Sequence, residues 1–253
     1  MSGPLSGIAV VVTRPVRQGA AFAQQLAALG ATPIVWPAIV ILPPDDPAPL
    51  ARVHASLDRY DLAFFVSANA AEYGAPPDGR WPARLRAYAP GPGTAAALAA
   101  VGVPEARIPD TTFDSEGLLA LPELAHLDGK RAILFRGQGG RELLADTLAE
   151  RGAIVESVSC YRRAAPAGDA RGLVDAFAEG RAHALTLTSA EGVDNLMRAV
   201  GERGRALLAR VPAFAPHPRI VEHARAAGLD ARATGGGDAG LIAALLEWAP
   251  ARP

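Results

Sequence analysis

Three arginines stand where apolar runs typical of buried strands give way to the next helix. Arg14 follows the run at residues 8–12, and Arg136 and Arg141 follow the run at residues 132–135. A guanidinium group is a planar fork that can hold a carboxylate through two hydrogen bonds, so these positions favour recognition of an anionic ligand. The competing interpretation is a surface arginine that pairs with a neighbouring Asp or Glu.

Small polar residues follow the other predicted strands in the same way. The start of a helix leaves backbone N–H groups without partners inside the helix, and such groups bind anions without any net positive charge. A side chain that caps the helix would hold the same N–H groups that face a ligand, so capping and ligand contact are compatible. The residues of N-cap type are Ser67, Asn69, Thr94, Ser115 and Ser189. The residues predicted to bind substrate from their place at strand ends are Thr13, Arg14, Ser67, Ala68, Asn69, Gly91, Gly93, Thr94, Arg136, Gly137, Thr188, Ser189 and His217.

The elements that must position these residues alternate between strand and helix. After the strand at residues 8–12, residues 18–29 have apolar side chains at helical spacing and end at Gly30. Residues 142–151, ended by Gly152, repeat this pattern. Buried strands that alternate with helices of about 10–15 residues predict βαβ units, a mostly parallel sheet and the α/β class. The remaining predicted strands are residues 62–66, 85–88, 153–158, 184–187 and 213–215.

Three pairs of segments recur in the same order along the chain. The pairs are residues 10–35 with 132–157, residues 61–73 with 183–196, and residues 88–109 with 214–235. Corresponding positions lie 123, 122 and 126 residues apart, and chance would not give three ordered pairs at nearly one offset. The chain is therefore predicted to be a duplication of one α/β half. Because open α/β sheets bind ligands beyond the carboxyl ends of their strands, the ligand site is expected in a cleft between the halves.

Composition excludes several classes of protein. Half of the 253 residues are hydrophobic and a fifth are charged, which excludes a disordered chain. The net charge of −1 gives no reason to expect nucleic acid or an anionic membrane as partner. The start MSGPLSG lacks the features of a signal peptide, and no apolar run approaches the ~20 residues of a membrane span, so the cytoplasm is the expected compartment.

Cofactor chemistry has no motif in the sequence. The single Cys160 has no partner thiol and no zinc-ligand spacing beside it, so it is interpreted as a packing residue. The triple glycine at residues 235–237 lacks the Lys-Ser/Thr of a P-loop, and Gly91-x-Gly93 lacks the third glycine of a dinucleotide fingerprint. No cofactor and no metal are predicted.

Nearly the whole chain carries, in order, the motifs of a known family. They are Thr13-Arg14-Pro15, Pro37-Ala38-Ile39, FVSANA at 65–70, GPGTA at 91–95, SEGLL at 115–119, Arg136-Gly137 with Gly140-Arg141, Cys160-Tyr161-Arg162, and Thr188-Ser189. In the order and spacing of these motifs the chain resembles the uroporphyrinogen-III synthase family. The resemblance implies two similar flavodoxin-like domains with parallel sheets, joined by a two-stranded antiparallel connector near residues 34–41 and 158–164. One domain would be residues 1–37 with 163–253, and the other residues 38–162.

The resemblance also implies an activity. Such an enzyme is a cofactor-free lyase that closes the linear tetrapyrrole hydroxymethylbilane into uroporphyrinogen III, inverting the last pyrrole ring and losing water, on the route to haem, sirohaem and cobalamin. The terminal hydroxyl departs to give an azafulvenium-type cation, and a spirocyclic intermediate follows. The substrate closes unaided to the wrong isomer, so orientation in the site, worth up to ~7–11 kcal/mol, would be the main task. A monomer is expected, with transient hand-over of substrate from the upstream deaminase.

Tyr161 matches the recurrent tyrosine of the family and is the predicted catalytic residue. A phenol, with an ordinary pKa of about 10, is a better acid than base at neutral pH and could donate a proton to the departing hydroxyl. The alternatives are a residue that only positions substrate and an aromatic ring that only packs. The resemblance adds Ser115 and Arg141 to the predicted substrate-binding residues.

One turn departs from the pattern of the family. Residues 215–219 read Ala-Pro-His-Pro-Arg where many relatives have a Gly-Pro-Thr-Thr type of turn, so His217 or Arg219 is predicted to replace the missing hydroxyl. The alternative to the synthase is a non-catalytic two-domain protein that binds or senses a small molecule, because a duplication with a neutral cleft fits it equally.

Overall fold

The computed structural model describes residues 3–139 and 142–249. The chain separates into two units, the first formed by Met1–Val40 with Ala164–Pro253 and the second by Ile41–Arg163. The domain boundaries implied by the resemblance, after residues 37 and 162, fall three residues and one residue before these divisions, and they stay a prediction. In the part of the chain that is described, no helix is long and apolar enough to cross a membrane.

The two units are built from ten strands and eleven α-helices within the described residues. In chain order they are β1 (Ala9–Val12), α1 (Val16–Ala28), β2 (Thr32–Val35), β3 (Val40–Leu42), α2 (Ala48–His54), β4 (Leu62–Phe65), α3 (Ala68–Gly74), β5 (Arg86–Tyr88), α4 (Pro92–Ala100), α5 (Ser115–Leu119), β6 (Arg131–Gly137), α6 (Leu143–Glu150), β7 (Ile154–Ala164), α7 (Arg171–Ala178), β8 (Ala184–Thr186), α8 (Ala190–Ala199), α9 (Gly201–Leu208), β9 (Pro212–Ala215), α10 (Pro218–Ala226), β10 (Asp230–Ala233) and α11 (Gly237–Trp248). Short 3₁₀ turns lie at Leu57–Arg59 and Pro122–Leu124.

The first unit contains a parallel five-stranded sheet in the order β10-β9-β8-β1-β2. Counted along the chain, this is the 2-1-3-4-5 order of flavodoxin-like sheets. All four residues of β1 are buried, because helices cover both faces. Val11 packs into the core formed with α7, α8 and α10, whereas Val10 and Val12 point to the opposite face and pack against α1 and α11.

The second unit contains a five-stranded sheet in the order β3-β7-β6-β4-β5. The pairs β7·β6, β6·β4 and β4·β5 are parallel. Ile133 and Phe135 of β6 face a core shared with α2, α3 and α4, and Leu134 faces a core shared with α5 and α6. The α/β class with parallel sheets is thus confirmed.

The sheets of the two units correspond strand by strand, as the repeated segments predict. The run β2-β1-β8-β9 matches β7-β6-β4-β5. Val12 pairs with Val35 and Phe135 with Val158, and each residue of the first pair lies 123 positions before its counterpart in the second. A bridge between Tyr88 and Arg107 takes the place that β10 has in the first unit.

Most predicted elements are present within one or two residues, with three differences. The stretch at residues 34–41 is not a single strand, because β2 ends at Val35 and β3 begins at Val40. Residues 158–164 are the second part of the long strand β7, which neighbours β3. Strand β10 was not predicted, since only Ala231 of its four residues is buried and no apolar run marks it. Gly30 and Gly152 end their helices with φ of +89° and +93°, as predicted.

Candidate functional site

A bulge in β7 determines where Tyr161 points. Arg136 of β6 lies opposite Ser159 and Gly137 lies opposite Tyr161, so Cys160 is an extra residue in β7. A bulge interrupts the alternation of side chains and can re-aim one of them. As a result Cys160 and Tyr161 are consecutive and both buried, with exposures of 0% and 3%.

The ring of Tyr161 lies directly on Gly137. A Cβ atom at position 137 would be 2.6 Å from Cζ and 3.0 Å from the hydroxyl oxygen of Tyr161, so no other residue fits there without moving the ring. The ring of Tyr73 lies beside it, with a centroid distance of 6.3 Å. Gly137 packs against Tyr161 in the structure, and the substrate contact expected of it stays a prediction.

Ser67 joins Tyr161 to the start of α3. Its Oγ accepts a hydrogen bond from the backbone N–H of Ala70 at 3.1 Å and lies 3.2 Å from the hydroxyl oxygen of Tyr161. Ser67 is thus an N-cap, one of the two roles predicted for it. Ala68 and Asn69 form the first turn of α3 and are half-buried.

A cavity of about 410 Å³ opens beside Tyr161 within the second unit. Its walls are both apolar and polar, and they include Val66, Pro90, Phe113, Asp114, Ser115, Glu116, Leu134, Arg136, Gly137, Gly139, Leu144, Tyr161 and Arg163. The side chain of Phe113 is 55% exposed, unusual for an aromatic residue. A Cβ atom at Gly91 would be 2.9 Å from that of Phe113, so the glycine allows the Phe113 loop to approach α4.

Arg136 is held at the edge of this cavity by neighbouring groups. Its Nη1 donates to both carboxylate oxygens of Glu142, at 2.8 and 2.7 Å, and its Nη2 donates to the carbonyl oxygen of Gly139 at 3.0 Å. The arginine is 12% exposed and the glutamate 60%. This is the pairing that the competing interpretation expected. Arg141 lies outside the described residues.

The cap of α5 is not the predicted one. Asp114 accepts from the backbone N–H of Gly117 at 2.8 Å, and Ser115 is the first residue of the helix. Asp114 takes this role because its carboxylate stands one residue earlier, at the extended position that a cap requires. Asn69 and Thr94 are not caps either, since Ser67 and Gly91 occupy those positions. Thr94 is buried, and Gly93 is exposed with open space around it.

In the first unit, Arg14 is also bound to a carboxylate. Its Nη1 lies 2.5 Å from Oδ1 of Asp238 in the first turn of α11, and its guanidinium lies 4.7 Å from the centre of the Phe22 ring. Its Nε is buried and has no hydrogen-bond partner among the described residues. Thr13 is buried and donates to the carbonyl oxygen of Thr186 at 2.7 Å, so its hydroxyl is part of the sheet.

The other predicted residues of the first unit are at helix starts. Ser189 caps α8 by accepting from the N–H of Gly192 at 3.0 Å, and Thr188 before it is half-buried. His217 caps α10, because its Nδ1 accepts from the N–H of Arg219 at 3.2 Å. Both His217 and Arg219 are exposed. The imidazole of His217 is therefore the cap of α10, and its replacement of the hydroxyl found in relatives stays a prediction.

Two comparisons with known protein sequences identify the family. The family model for uroporphyrinogen-III synthase HemD matches residues 20–234. The chain belongs to the uroporphyrinogen-III synthase family. The uroporphyrinogen-III synthases of Salmonella typhimurium and Escherichia coli are 40% and 38% identical to it over 162 residues, 62% of this chain. That alignment spans 66% of each relative, just under two thirds. The uroporphyrinogen-III synthase of Synechococcus elongatus is 31% identical over 202 residues, covering 76% of this chain and 74% of the relative.

Solved structures of uroporphyrinogen III synthases share the fold. A mutant synthase from Thermus thermophilus gives a TM-score of 0.55 at 22% identity and covers 98% of this chain and 100% of its own. The synthase from Helicobacter pylori gives 0.59 at 14% identity, covering 96% and 98%. Membership of a synthase family confirms the predicted resemblance, and no comparison favours the alternative of a non-catalytic binding protein.

Within this synthase-family chain, the second unit brings several predicted residues together. Ser67, Ser115, Arg136, Gly137 and Tyr161 lie at or beside one cavity. Sequence reasoning missed Phe113, Asp114 and Glu142. Phe113 could have been noticed because it is an aromatic residue within the polar segment TTFDSEG, and such a segment rarely contributes a side chain to the core.

Cys160 has the packing role that the sequence suggests. It is fully buried, and its thiol donates toward the carbonyl oxygen of Arg136 at 3.2 Å. Burial raises the pKa of this thiol to about 12. A thiol with so high a pKa is not a nucleophile at neutral pH.

Proposed function

We propose that the chain is a uroporphyrinogen-III synthase, which closes hydroxymethylbilane into uroporphyrinogen III with inversion of the last pyrrole ring and loss of water. Family membership over residues 20–234 is the observation that carries this proposal. The cavity at Tyr161 supports it, because a phenol, an aromatic wall and an arginine suit an apolar ring that bears carboxylates.

Tyr161 is proposed as the proton donor. Its hydroxyl is held by Ser67 at 3.2 Å, and its ring lines the cavity. Proton donation by a positioned phenol would let the terminal hydroxyl of the substrate depart as water. Phe113, which lines the same cavity, is proposed to pack on a pyrrole ring.

Anion recognition is proposed to rest mainly on backbone N–H groups at helix starts. The two arginines are already paired, Arg14 with Asp238 and Arg136 with Glu142, so a substrate carboxylate must share or replace a carboxylate of the protein. Such an exchange gains less free energy than pairing a free guanidinium would. The predicted contacts of Ala68, Asn69, Gly91, Gly93, Thr94, Ser115, Arg141, Thr188, Ser189, His217 and Arg219 with substrate belong to this proposal.

The test is a comparison of product isomers. Purified chain is incubated with freshly prepared hydroxymethylbilane, the products are oxidised, and the type I and type III uroporphyrins are separated by chromatography. We expect mainly type III with the folded chain and mainly type I, from unaided closure, with heat-denatured chain. An identical isomer ratio in the two samples would refute the proposal.

Its setting is proposed as well. The chain is proposed to act as a cytoplasmic monomer that receives its substrate from the preceding deaminase and needs no cofactor or metal, nucleic acid or membrane. A net charge of −1 supports the absence of nucleic-acid and membrane partners. Sedimentation of the chain alone and with the deaminase would test both the monomer and the hand-over.

A further inference from the structure

Three separate features of the second unit fix the hydroxyl of Tyr161. The bulge at Cys160 places the side chain of Tyr161 in the interior, and the ring packs on Gly137, which has no side chain to displace it. The Oγ atom of Ser67 lies 3.2 Å from the hydroxyl oxygen of Tyr161, within hydrogen-bond distance. A side chain that only fills space does not need a polar group at its tip held in this way. The position of the phenol oxygen is therefore specified, and the remaining question is which way its proton points.

Ser67 has a limited set of hydrogen bonds to offer. A serine hydroxyl has one proton to donate and two lone pairs to accept with. One lone pair is used by the N–H of Ala70 at 3.1 Å. A hydroxyl that accepts one hydrogen bond becomes a better donor and a poorer further acceptor, because chains of hydrogen bonds polarise one another.

From this arrangement we infer that Ser67 is a positioning residue that donates its proton to the hydroxyl oxygen of Tyr161 and so leaves the phenol proton free for the substrate. The inference rests on the proposed function. The order of donors is Ala70 N–H to Ser67, Ser67 O–H to Tyr161, and Tyr161 O–H to the departing hydroxyl. If Tyr161 instead donated to Ser67, its proton would be turned away from the substrate.

The proton transfer conserves atoms and charge. The C–O bond of the hydroxymethyl group breaks, and its electron pair stays on the departing oxygen. That oxygen takes the phenol proton and leaves as water, while the substrate becomes a cation and Tyr161 a phenolate. The hydrogen bond from Ser67 stabilises the phenolate. When the ring has closed, the pyrrole carbon loses its proton and the phenol is restored.

The chain contains a matched control for the capping role. Ser189 caps α8 as Ser67 caps α3, through its own side-chain oxygen and the N–H group three residues on. The two serines lie 122 positions apart in corresponding places. The loss of stability that follows from losing a cap should therefore be shared by Ser67→Ala and Ser189→Ala, whereas a change in the resonance of the phenol should be confined to the first.

The experiment combines kinetics with a measurement that needs no substrate. For Ser67→Ala we expect kcat to fall about fivefold to tenfold and KM to stay within about twofold of its original value. The reason is that the lost hydrogen bond acts in the proton transfer from Tyr161 and not in substrate binding. In a Tyr161→Phe background the same change should alter kcat by less than about twofold. Ser67→Thr, which keeps both cap and donor, should restore kcat. With tyrosine labelled by ¹³C at Cζ, Ser67→Ala should move the resonance that Tyr161→Phe removes, and Ser189→Ala should not.

Specific results would overturn the inference. If kcat of Ser67→Ala is unchanged or higher, Tyr161 was the donor to Ser67. If the effects of Ser67→Ala and Tyr161→Phe multiply, Ser67 acts independently of the phenol. If the unsubstituted chain forms no type III isomer, the proposed function fails, and the Cζ resonance still tests the contact: an unmoved resonance in Ser67→Ala would overturn the hydrogen bond on which the inference rests.

Discussion

The two units have the same scaffold but carry different chemistry at corresponding positions. Ser67 and Ser189 both cap the helix that follows an interior strand of their sheet. By the 123-residue offset, Tyr161 of the second unit corresponds to Ala38 of the first, and Gly137 corresponds to Arg14. The second unit has a tyrosine ring packed on a glycine, whereas the first unit has an alanine and an arginine at the corresponding positions.

The contacts around Ala38 show how the first unit does without an aromatic ring. Ala38 is fully buried, its carbonyl oxygen accepts from Nδ2 of Asn195 at 3.0 Å, and a Cβ atom at Gly192 would be 3.7 Å from its own. The space that the tyrosine ring fills in the second unit is filled here by the packing around Ala38 and by the buried side-chain amide of Asn195. The two units thus share the strand order and the caps, while the side chains at corresponding positions differ: Tyr161 and Gly137 in the second unit, Ala38 and Arg14 in the first.

Tyr161→Phe should have the largest effect on activity, because it removes the proposed proton donor and keeps the ring. General acid catalysis contributes ~10²–10⁴-fold, and a substrate that reacts unaided places the loss at or below the low end, about 100-fold. The measurement is the rate of type III formation, with thermal melts to check folding. Near-normal activity in folded Tyr161→Phe, with Tyr161→Ala damaged, would leave the residue only a packing role.

Gly137→Ala should come next, since its Cβ atom would displace the ring of Tyr161. A misplacement of about 1 Å can cost on the order of 100-fold, and we expect a loss of roughly 10- to 100-fold in kcat. Gly172, in α7 with open space around it, offers the control Gly172→Ala. That control should be at least as stable as the unsubstituted chain and equally active. Full activity of Gly137→Ala would show that the packing of the Tyr161 ring on Gly137 is unimportant for activity.

The arginine pairs should differ in stability. The carboxylate of Asp238 is 32% exposed and that of Glu142 is 60%, while both arginines are nearly buried. Asp238→Asn should lower the free energy of unfolding by about 1–3 kcal/mol, because it weakens a charged hydrogen bond in a sheltered place. Glu142→Gln should cost less than about 1 kcal/mol. Urea denaturation measures both losses in the free energy of unfolding. Equal losses would contradict the expectation that the more buried ion pair contributes more.

Ser189→Ala should have the smallest effect, a loss of about 1 kcal/mol in the free energy of unfolding. The cap is lost, but no phenol depends on it, so type III formation should fall only modestly. A loss of activity larger than that of Ser67→Ala would give the first unit the dominant chemical role and reverse the comparison.

The fold can be predicted from the sequence better than the site can, for physical reasons. Buried parallel strands such as β1 and β6 are continuous apolar runs and can be recognised, whereas β10 has one buried residue and cannot. The bulge at Cys160 depends on the register between two separate strands, which no local pattern encodes. The predicted cap of α5 was wrong by one residue because Asp114 and Ser115 are both good caps. Phe113 was missed because an aromatic residue in a polar segment is only a weak signal, and its 55% exposure becomes known only from the structure.

The strand order has a consequence for the order of synthesis. β1 lies between β2 and β8, so this interior strand of the first sheet lacks one of its two neighbours until residues 184–186 have been made. At ~5–20 residues per second, the roughly 170 intervening residues take on the order of 10–30 s. All of Ile41–Arg163 is synthesised in that interval and can fold as one continuous piece. The nascent chain must therefore keep the unpaired edge of β1 from pairing with other chains while the second unit is being synthesised.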